Sequence, residues 1–214
     1  MIIRTILDTD LYKFTTSYAY IKLFPYAIGT FSFKDRDGTE YSDEFVERLR
    51  TEISQLSHVT LTEKELEYMI KNCRFLPRVY WEWLSSFRFQ PEKIEIRLDE
   101  NRQLHIEVND YLYKATLYEV PLLAIVSEIK NQSSGNVANL EDILYKLSEK
   151  TELSNKHQLL FSEFGTRRRF SFDVQNQVIG HLKQTAHYCI GTSNCHFAMK
   201  YGMKPLSLIH ISEP

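Results

Sequence analysis

The feature that most constrains the fold is an alternation of short apolar runs and amphipathic segments between residues 159 and 206. Strands and helices that alternate with connections of only a few residues are typical of βα units around a parallel sheet. We therefore predict an α/β fold for this part of the chain. The expected order is strand LLFSEFG, helix SFDVQNQVIGHLKQTAHY, strand YCIGTS, helix NCHFAMKYG and a third strand starting at KPL.

The length of the chain limits how complete this parallel sheet can be. A closed βα barrel needs roughly 250 residues, whereas the whole chain has 214 residues. We expect either a small open sheet or the first βα units of an incomplete, truncated and irregular TIM-like barrel, and we favour the barrel. Residues 207–214 have neither a helical period nor a strand alternation, so we expect them to be a non-native tail.

The first part of the chain is predicted to be a separate α+β domain. A helical pattern begins after cap candidates at residues 8–10 and ends near the first proline, and residues 29–34 alternate like a strand. Residues 42–56 place apolar side chains on one helical face, and Thr62 with Glu65 predicts a capping box that begins a further helix.

A period-two pattern follows from residue 94. Residues 94–98, 104–108 and 112–120 alternate and are separated by polar turns, which predicts three strands of an antiparallel meander. We expect Pro121 to end the meander and to start a long helical passage that reaches about residue 157. The predicted division is an α+β domain over 1–118, the start of a barrel domain over 119–206, and the tail over 207–214.

Composition excludes several classes of protein. The chain has 26 basic and 28 acidic side chains, for a formal net charge of -2, so no global field attracts nucleic acid or an anionic membrane. The three cysteines do not form a pattern typical of a disulfide framework, and the sequence has no signal peptide. Both features favour a soluble cytoplasmic protein. His187, Cys189, Cys195 and His196 match no zinc spacing, so no metal site is expected.

Three consecutive arginines, Arg167, Arg168 and Arg169, follow the predicted strand in FSEFGTRRRFS. Arginine binds carboxylate or phosphate with two parallel hydrogen bonds, and a helix N-terminus adds backbone donors. The pattern predicts an anion site at the strand end that uses one or two of these arginines. An exposed or ion-paired arginine face is the alternative that the spacing leaves open.

The next predicted strand ends in a similar way, with Thr192, Ser193 and Asn194 after YCIG. These residue types commonly cap helices, and capping alone would explain them. Two such strand ends side by side would nevertheless form a polar, cationic pocket.

Two further residues have an ordinary structural interpretation when the sequence is considered alone. Tyr12 would be a packed aromatic side chain, and Arg36 would be an arginine in a turn. The sequence has no G-x-S-x-G elbow, Walker A loop or G-x-G-x-x-G fingerprint.

Five motifs, in this order, resemble the nicotinate phosphoribosyltransferase family: DTDLYKFT, FSFKDR, YEVPLLAIVSEI, FSEFGTRRRFS and YCIGTSNCHFAMKYGMKPL. The resemblance covers residues 3–206, about the N-terminal half of a family member. It implies an α/β domain followed by an irregular βα barrel. It also implies an enzyme that joins nicotinate to phosphoribosyl pyrophosphate in NAD salvage, with ATP as co-substrate, Mg²⁺ at the pyrophosphate and a homodimeric assembly.

The resemblance also implies roles for individual residues. Tyr12, reaching the partner's active site, and Phe164 would stack on the pyridine ring, and Arg167 would lie at the nicotinate end of the pocket. Thr192 and Ser193 would form its polar floor. Arg36 would contact the pyrophosphate of the sugar donor.

One departure from the family pattern follows residue 206. The family continues with G-T-x-A-H, whose histidine is phosphorylated, and this chain has SLIHISEP instead. We therefore do not assign the phosphohistidine to His210, and we leave the catalytic residues unknown and expect the chain alone to be inactive. A nicotinamide-specific relative and a non-catalytic anion-binding module are the alternatives.

Overall fold

Two small sheets lie among helices in the computed structural model, which describes residues 1–35, 38–135 and 137–207. The helices are α1 (Leu11–Leu23), α2 (Asp43–Ser54), α3 (Glu63–Asn72), α4 (Arg78–Ser86), α5 (Leu112–Ser133), α6 (Leu140–His157), α7 (Phe172–Thr185) and α8 (Cys195–Tyr201). The strands are β1 (Ile28–Ser32), β2 (Ile94–Leu98), β3 (Leu104–Tyr111), β4 (Phe161–Glu163) and β5 (Cys189–Thr192). The mixed α/β class predicted from the sequence is confirmed.

The first sheet is antiparallel and has the strand order β1-β3-β2. Its register places Ile28 opposite Tyr111 and Ile94 opposite Val108. Buried and more exposed side chains alternate along β2 and β3, so one face of the sheet packs on the core. The predicted strands at 94–98 and 104–108 are confirmed.

The predicted third strand at residues 112–120 is wrong, because these residues begin the long helix α5. The third strand of the sheet is β1. Pro121 lies inside α5 and is buried, so it does not start the helix. Since α5 is buried on most of its circumference, its apolar residues have no single-faced period, and a short stretch of them resembles a strand.

The predicted helix starts are mostly confirmed. The capping box of Thr62 and Glu65 is present at α3, and Ser171 caps α7 by accepting a hydrogen bond from the Val174 N–H. Asn194 caps α8 in the same way. Helix α4 was not predicted.

The second sheet pairs β4 with β5 in parallel, as the βα pattern predicts. The segment KPL forms a single parallel bridge between Pro205 and Thr192 rather than a full strand. Helix α7 connects β4 to β5, and α8 follows β5 after a turn of two residues, Ser193 and Asn194.

The core consists of one large cluster and one small one. The large cluster includes side chains from residue 2 to residue 195, and the small one joins α7 and α8 through Phe172, Ile179, Phe197 and Met203. The boundary predicted at 118/119 falls inside α5, and the domain division stays a prediction. In the described ranges no helix is both long and apolar enough to cross a bilayer.

Candidate functional site

The carboxyl ends of β4 and β5 meet the start of α1. The Ser193 N–H donates to the carbonyl of Glu163 at 2.9 Å, and the Leu11 N–H donates to the carbonyl of Ser193 at 2.8 Å. Asp10 forms a bridge with Asn194. Ligand sites in parallel βα folds form at the carboxyl ends of the strands, so this junction is the candidate site.

Arg167 lies in a short 3₁₀ turn, Thr166–Arg168, directly after β4. Its Nη1 atom is 3.3 Å from Oε1 of Glu119, and its Nε atom is 3.7 Å from Oδ2 of Asp10. The side chain is 42% exposed. Two carboxylates therefore hold the guanidinium while part of it stays accessible to a ligand.

Tyr12 and Lys13, in the first turn of α1, contact the same carboxylate. Glu119 accepts a hydrogen bond from the Tyr12 hydroxyl at 3.4 Å and forms an ion pair with the Lys13 ammonium, which is buried. The Cζ atom of Arg167 lies 6.0 Å from the centroid of the Tyr12 ring. Burial, and after it the Glu119 carboxylate, raises the pKa of Tyr12, so its hydroxyl stays protonated and donates.

Ser193 and Asp10 form a buried pair beneath Arg167. The Ser193 hydroxyl donates to Oδ1 of Asp10 at 2.5 Å. Burial raises the pKa of Asp10, although the Ser193 hydrogen bond and the Arg167 charge act in the opposite direction. Asp10 was predicted as a cap, and it is the N-cap of α1 by position, but its side chain binds Ser193 and makes no cap hydrogen bond.

Thr192 is fully buried, and its hydroxyl donates to Oε2 of Glu163 at 2.5 Å. The other oxygen of Glu163 accepts the N–H of Gly165 at 2.6 Å. Burial raises the pKa of Glu163, and the hydrogen bonds from Thr192 and Gly165 oppose that shift. Glu163 thus fixes the Arg167 turn to the end of β5.

The three arginines lie in different environments. Arg169 is buried, donates from Nη1 to Oδ1 of Asp8 at 2.7 Å, and has its Nε atom 3.8 Å from Oε2 of Glu128. Arg168 is exposed. Of the three, Arg167 alone is both exposed and paired with Asp10 and Glu119. Which arginine binds a ligand stays a prediction.

For the other predicted site residues, the structure shows fewer contacts with the Arg167 site or does not describe the residue. Phe164 follows β4 and is half-buried, and the ring pairs of the described residues do not include one between Phe164 and Tyr12. Arg36 and His210 lie outside the described residues. Tyr12 approaches Arg167 of its own chain, and its contact with a partner's site stays a prediction.

An open cleft of about 220 Å³ adjoins the site at Tyr12. It lies between α1, β1 and α5, and its lining includes Lys13, Glu119, Thr16, Thr30 and Thr116. The cleft and the candidate site therefore share Tyr12, Lys13 and Glu119.

Sequence reasoning missed Glu119 and Glu163 as site residues. Glu119 fell in the segment predicted as a strand, where its side chain could not be placed relative to Arg167. Because α5 is buried on most of its circumference, its sequence has no single apolar face that could have located Glu119. Glu163 gave no signal because its contact with Thr192 joins residues that are 29 positions apart.

Comparison with known proteins identifies the family. A sequence model described as the nicotinate phosphoribosyltransferase N-terminal domain matches residues 7–127, and the model of the nicotinate phosphoribosyltransferase family matches residues 159–212. A curated nicotinate phosphoribosyltransferase from Methanosarcina acetivorans is 39% identical over 97% of this chain and 55% of its own length. One from Methanosarcina mazei is 38% identical with the same coverage.

Solved structures agree with the sequence comparison. The crystal structure of nicotinate phosphoribosyltransferase from Porphyromonas gingivalis superposes with a TM-score of 0.94 at 42% identity, over 96% of this chain and 53% of that one. A putative nicotinate phosphoribosyltransferase from Saccharomyces cerevisiae gives 0.89 at 30% identity, over 96% and 54%. The chain spans about half the length of the relatives it matches. By sequence and by fold, it belongs to the nicotinate phosphoribosyltransferase family.

Proposed function

We propose that the full-length gene product joins nicotinate to phosphoribosyl pyrophosphate, giving nicotinate mononucleotide and pyrophosphate for NAD salvage. The observation that carries the proposal is the convergence of Tyr12, Arg167 and Ser193 at the ends of two parallel strands. Membership of the family supports the choice of reaction. The alternative, an enzyme specific for nicotinamide, predicts the same scaffold. An activity assay with both bases distinguishes the two activities.

Arg167 is proposed to bind the nicotinate carboxylate, because its guanidinium is partly exposed and is oriented by neighbouring groups. Tyr12, reaching across from the partner subunit, and Phe164 would hold the flat pyridine ring between aromatic faces. Ser193 and Thr192 would support the pocket from below, since both are buried and hydrogen-bonded to carboxylates. Arg36 is proposed to contact the pyrophosphate of the sugar donor.

The chemistry needs orientation more than a protein nucleophile. A bond forms between the pyridine nitrogen and C1 of the ribose, while the bond from C1 to the pyrophosphate oxygen breaks and the bonding electrons leave with pyrophosphate. The ribose carbon becomes cationic on the way, so a ring held at the right distance and angle lowers the barrier. A fixed Arg167 supplies that orientation at the carboxylate end of the ring.

ATP hydrolysis to ADP and phosphate is proposed to accompany the reaction, which would place the enzyme among the ligases, with Mg²⁺ carried by the pyrophosphate. In residues 1–35, 38–135 and 137–207, no group of three or more His, Cys, Asp or Glu side chains is arranged to hold a metal ion. We therefore assign no residue of this chain to Mg²⁺ or ATP and derive no step through them.

We also propose a domain architecture, a cellular location and an assembly state for the protein. The parallel pair β4 and β5 would be the first strands of an irregular TIM-like barrel, completed by residues beyond this chain, because the relatives are about twice as long. The chain by itself would then be inactive. A cytoplasmic location fits the three free cysteines, and a homodimer is proposed from the family resemblance.

The direct test is nucleotide formation by the purified full-length gene product. We expect mononucleotide from nicotinate and phosphoribosyl pyrophosphate, measured by chromatography, and much less from nicotinamide at equal concentration. Product from nicotinamide alone would establish the nicotinamide-specific alternative. Absence of product from either base, with and without ATP, would contradict the proposal.

A further inference from the structure

One carboxylate, that of Glu119, contacts three side chains from two other parts of the chain. Its Oε1 atom lies 3.3 Å from Nη1 of Arg167 and 3.4 Å from the hydroxyl of Tyr12. Its Oε2 atom pairs with the ammonium of Lys13. The residues come from α5, from the turn after β4 and from the first turn of α1, so the contact joins elements far apart in sequence.

The burial of these groups indicates which of them is fixed. The Lys13 side chain is 6% exposed and that of Glu119 is 24% exposed, whereas Arg167 is 42% exposed. Lys13 therefore anchors the carboxylate from the protein side, and Arg167 and Tyr12 are bound on its outer side. The ion pair of Lys13 and Glu119 need not stabilise the fold, because the cost of removing two charges from water offsets their attraction.

We propose that Glu119 is a positioning residue that orients Arg167 towards the carboxylate of the ligand. The inference rests on the proposed function, since it takes Arg167 to be a ligand contact. Glu119 acts through the Arg167 guanidinium and need not touch the ligand.

The chemistry of the side chain limits what can replace it. An ionised carboxylate accepts hydrogen bonds at both oxygens, and all three neighbours are donors. The amide of glutamine keeps the size but offers one acceptor oxygen and turns an N–H₂ group towards a donor. Glu119→Gln is thus expected to loosen its hold on Arg167 without leaving a cavity.

The test is a double-mutant cycle on the full-length gene product, with the dissociation constant for nicotinate measured by calorimetry. We expect Glu119→Gln to weaken nicotinate binding about tenfold and Arg167→Ala at least as much. The double variant should bind no more weakly than Arg167→Ala alone, because Glu119 acts through Arg167. Glu67→Gln, at an exposed position on α3, is the matched control and should bind as the wild type does.

Each outcome decides the proposal. Unchanged binding by Glu119→Gln together with weakened binding by Arg167→Ala overturns the inference and leaves the proposed function intact. Additive losses in the double variant also overturn it, because a merely structural role predicts independent effects. Unchanged binding by both Arg167→Ala and Tyr12→Ala removes the proposed function and this inference with it.

A second variant shows whether a loss of binding by Glu119→Gln reflects misfolding. Lys13→Met with Glu119→Leu replaces the ion pair by apolar side chains of similar length, a change that often preserves stability. This protein, if its thermal transition matches that of the wild type, should show the same tenfold loss. Wild-type affinity in it would contradict the positioning role.

Discussion

Neighbouring arginines in this chain have different physical roles, which follow from their surroundings. Arg169 is 1% exposed and lies between Asp8 and Glu128, whose carboxylates it neutralises inside the core. It also donates to the carbonyl of Ile2 at 3.2 Å, which fixes the N-terminal segment. The three arginines carry the same charge and are adjacent in the sequence, so only the fold distinguishes their roles.

Arg169→Ala should destabilise the protein by about 3 kcal/mol or more, because it leaves two buried carboxylates without their partner. The free energy of unfolding is measured by urea denaturation of the full-length gene product. Arg168→Ala, at the exposed neighbour, should change it by less than about 0.5 kcal/mol. Equal effects of the two substitutions would contradict the structural role of Arg169.

Asp10 makes stability depend on pH in a defined direction. Burial raises its pKa in the folded protein, so between the unfolded and folded pKa values the native state binds more protons than the unfolded state. Its contribution is therefore present below the unfolded pKa and is lost as pH rises through the folded pKa.

Asp10→Asn removes this titration while keeping an oxygen that accepts the Ser193 hydroxyl. We expect the melting temperature of the variant, relative to the wild type, to rise as pH increases from 4 to 8. Thermal melts at each pH measure the difference. A difference that is constant, or that falls with pH, would show that Asp10 does not titrate as the structure requires.

At the scale of elements, Gly191 lets the segment 204–206 lie beside β5. A Cβ atom at this position would lie 2.2 Å from the carbonyl oxygen of Lys204, which accepts the N–H of Thr192 at 3.2 Å. Overlap with backbone cannot be relieved by a rotamer change. The bridge between Thr192 and Pro205 therefore depends on a glycine.

Gly191→Ala should lower the free energy of unfolding by about 1–3 kcal/mol, in the range of other overpacked sites. Gly135→Ala is the control, because Gly135 has a φ of 67° and nothing within 4 Å of an added Cβ. The control isolates backbone strain from overlap. A loss at Gly191 no larger than at Gly135 would mean that segment 204–206 is not held in this way.

Local signals explain which elements could be predicted. Caps such as Thr62, Ser171 and Asn194 act within three or four residues, so the sequence alone locates them. The parallel pairing of β4 and β5 followed from short connections. Helix α5 could not be recognised by period because it is buried on most sides, and its misassignment concealed Glu119.

At the scale of the whole molecule, the candidate site is built from four distant regions of the chain. Residues 8–13, the helix α5 and the two strand ends meet there, and each contributes charge or hydrogen bonds. The family resemblance implied site roles for Tyr12, Arg167 and Ser193, and these residues lie near one another within this chain. The role of Tyr12 at a partner's site stays a prediction. It did not predict the carboxylates Glu119, Asp10 and Glu163, because their roles depend on tertiary contacts.

Nicotinate affinity, measured by calorimetry on the full-length gene product, tests the central claim most directly. Arg167→Ala should weaken binding by at least about tenfold, or 1.4 kcal/mol, because the carboxylate loses its charge partner. Arg168→Ala, one residue along the same turn and exposed, should bind as the wild type does. Wild-type affinity in Arg167→Ala, or an equal loss in both variants, would contradict the account of this site.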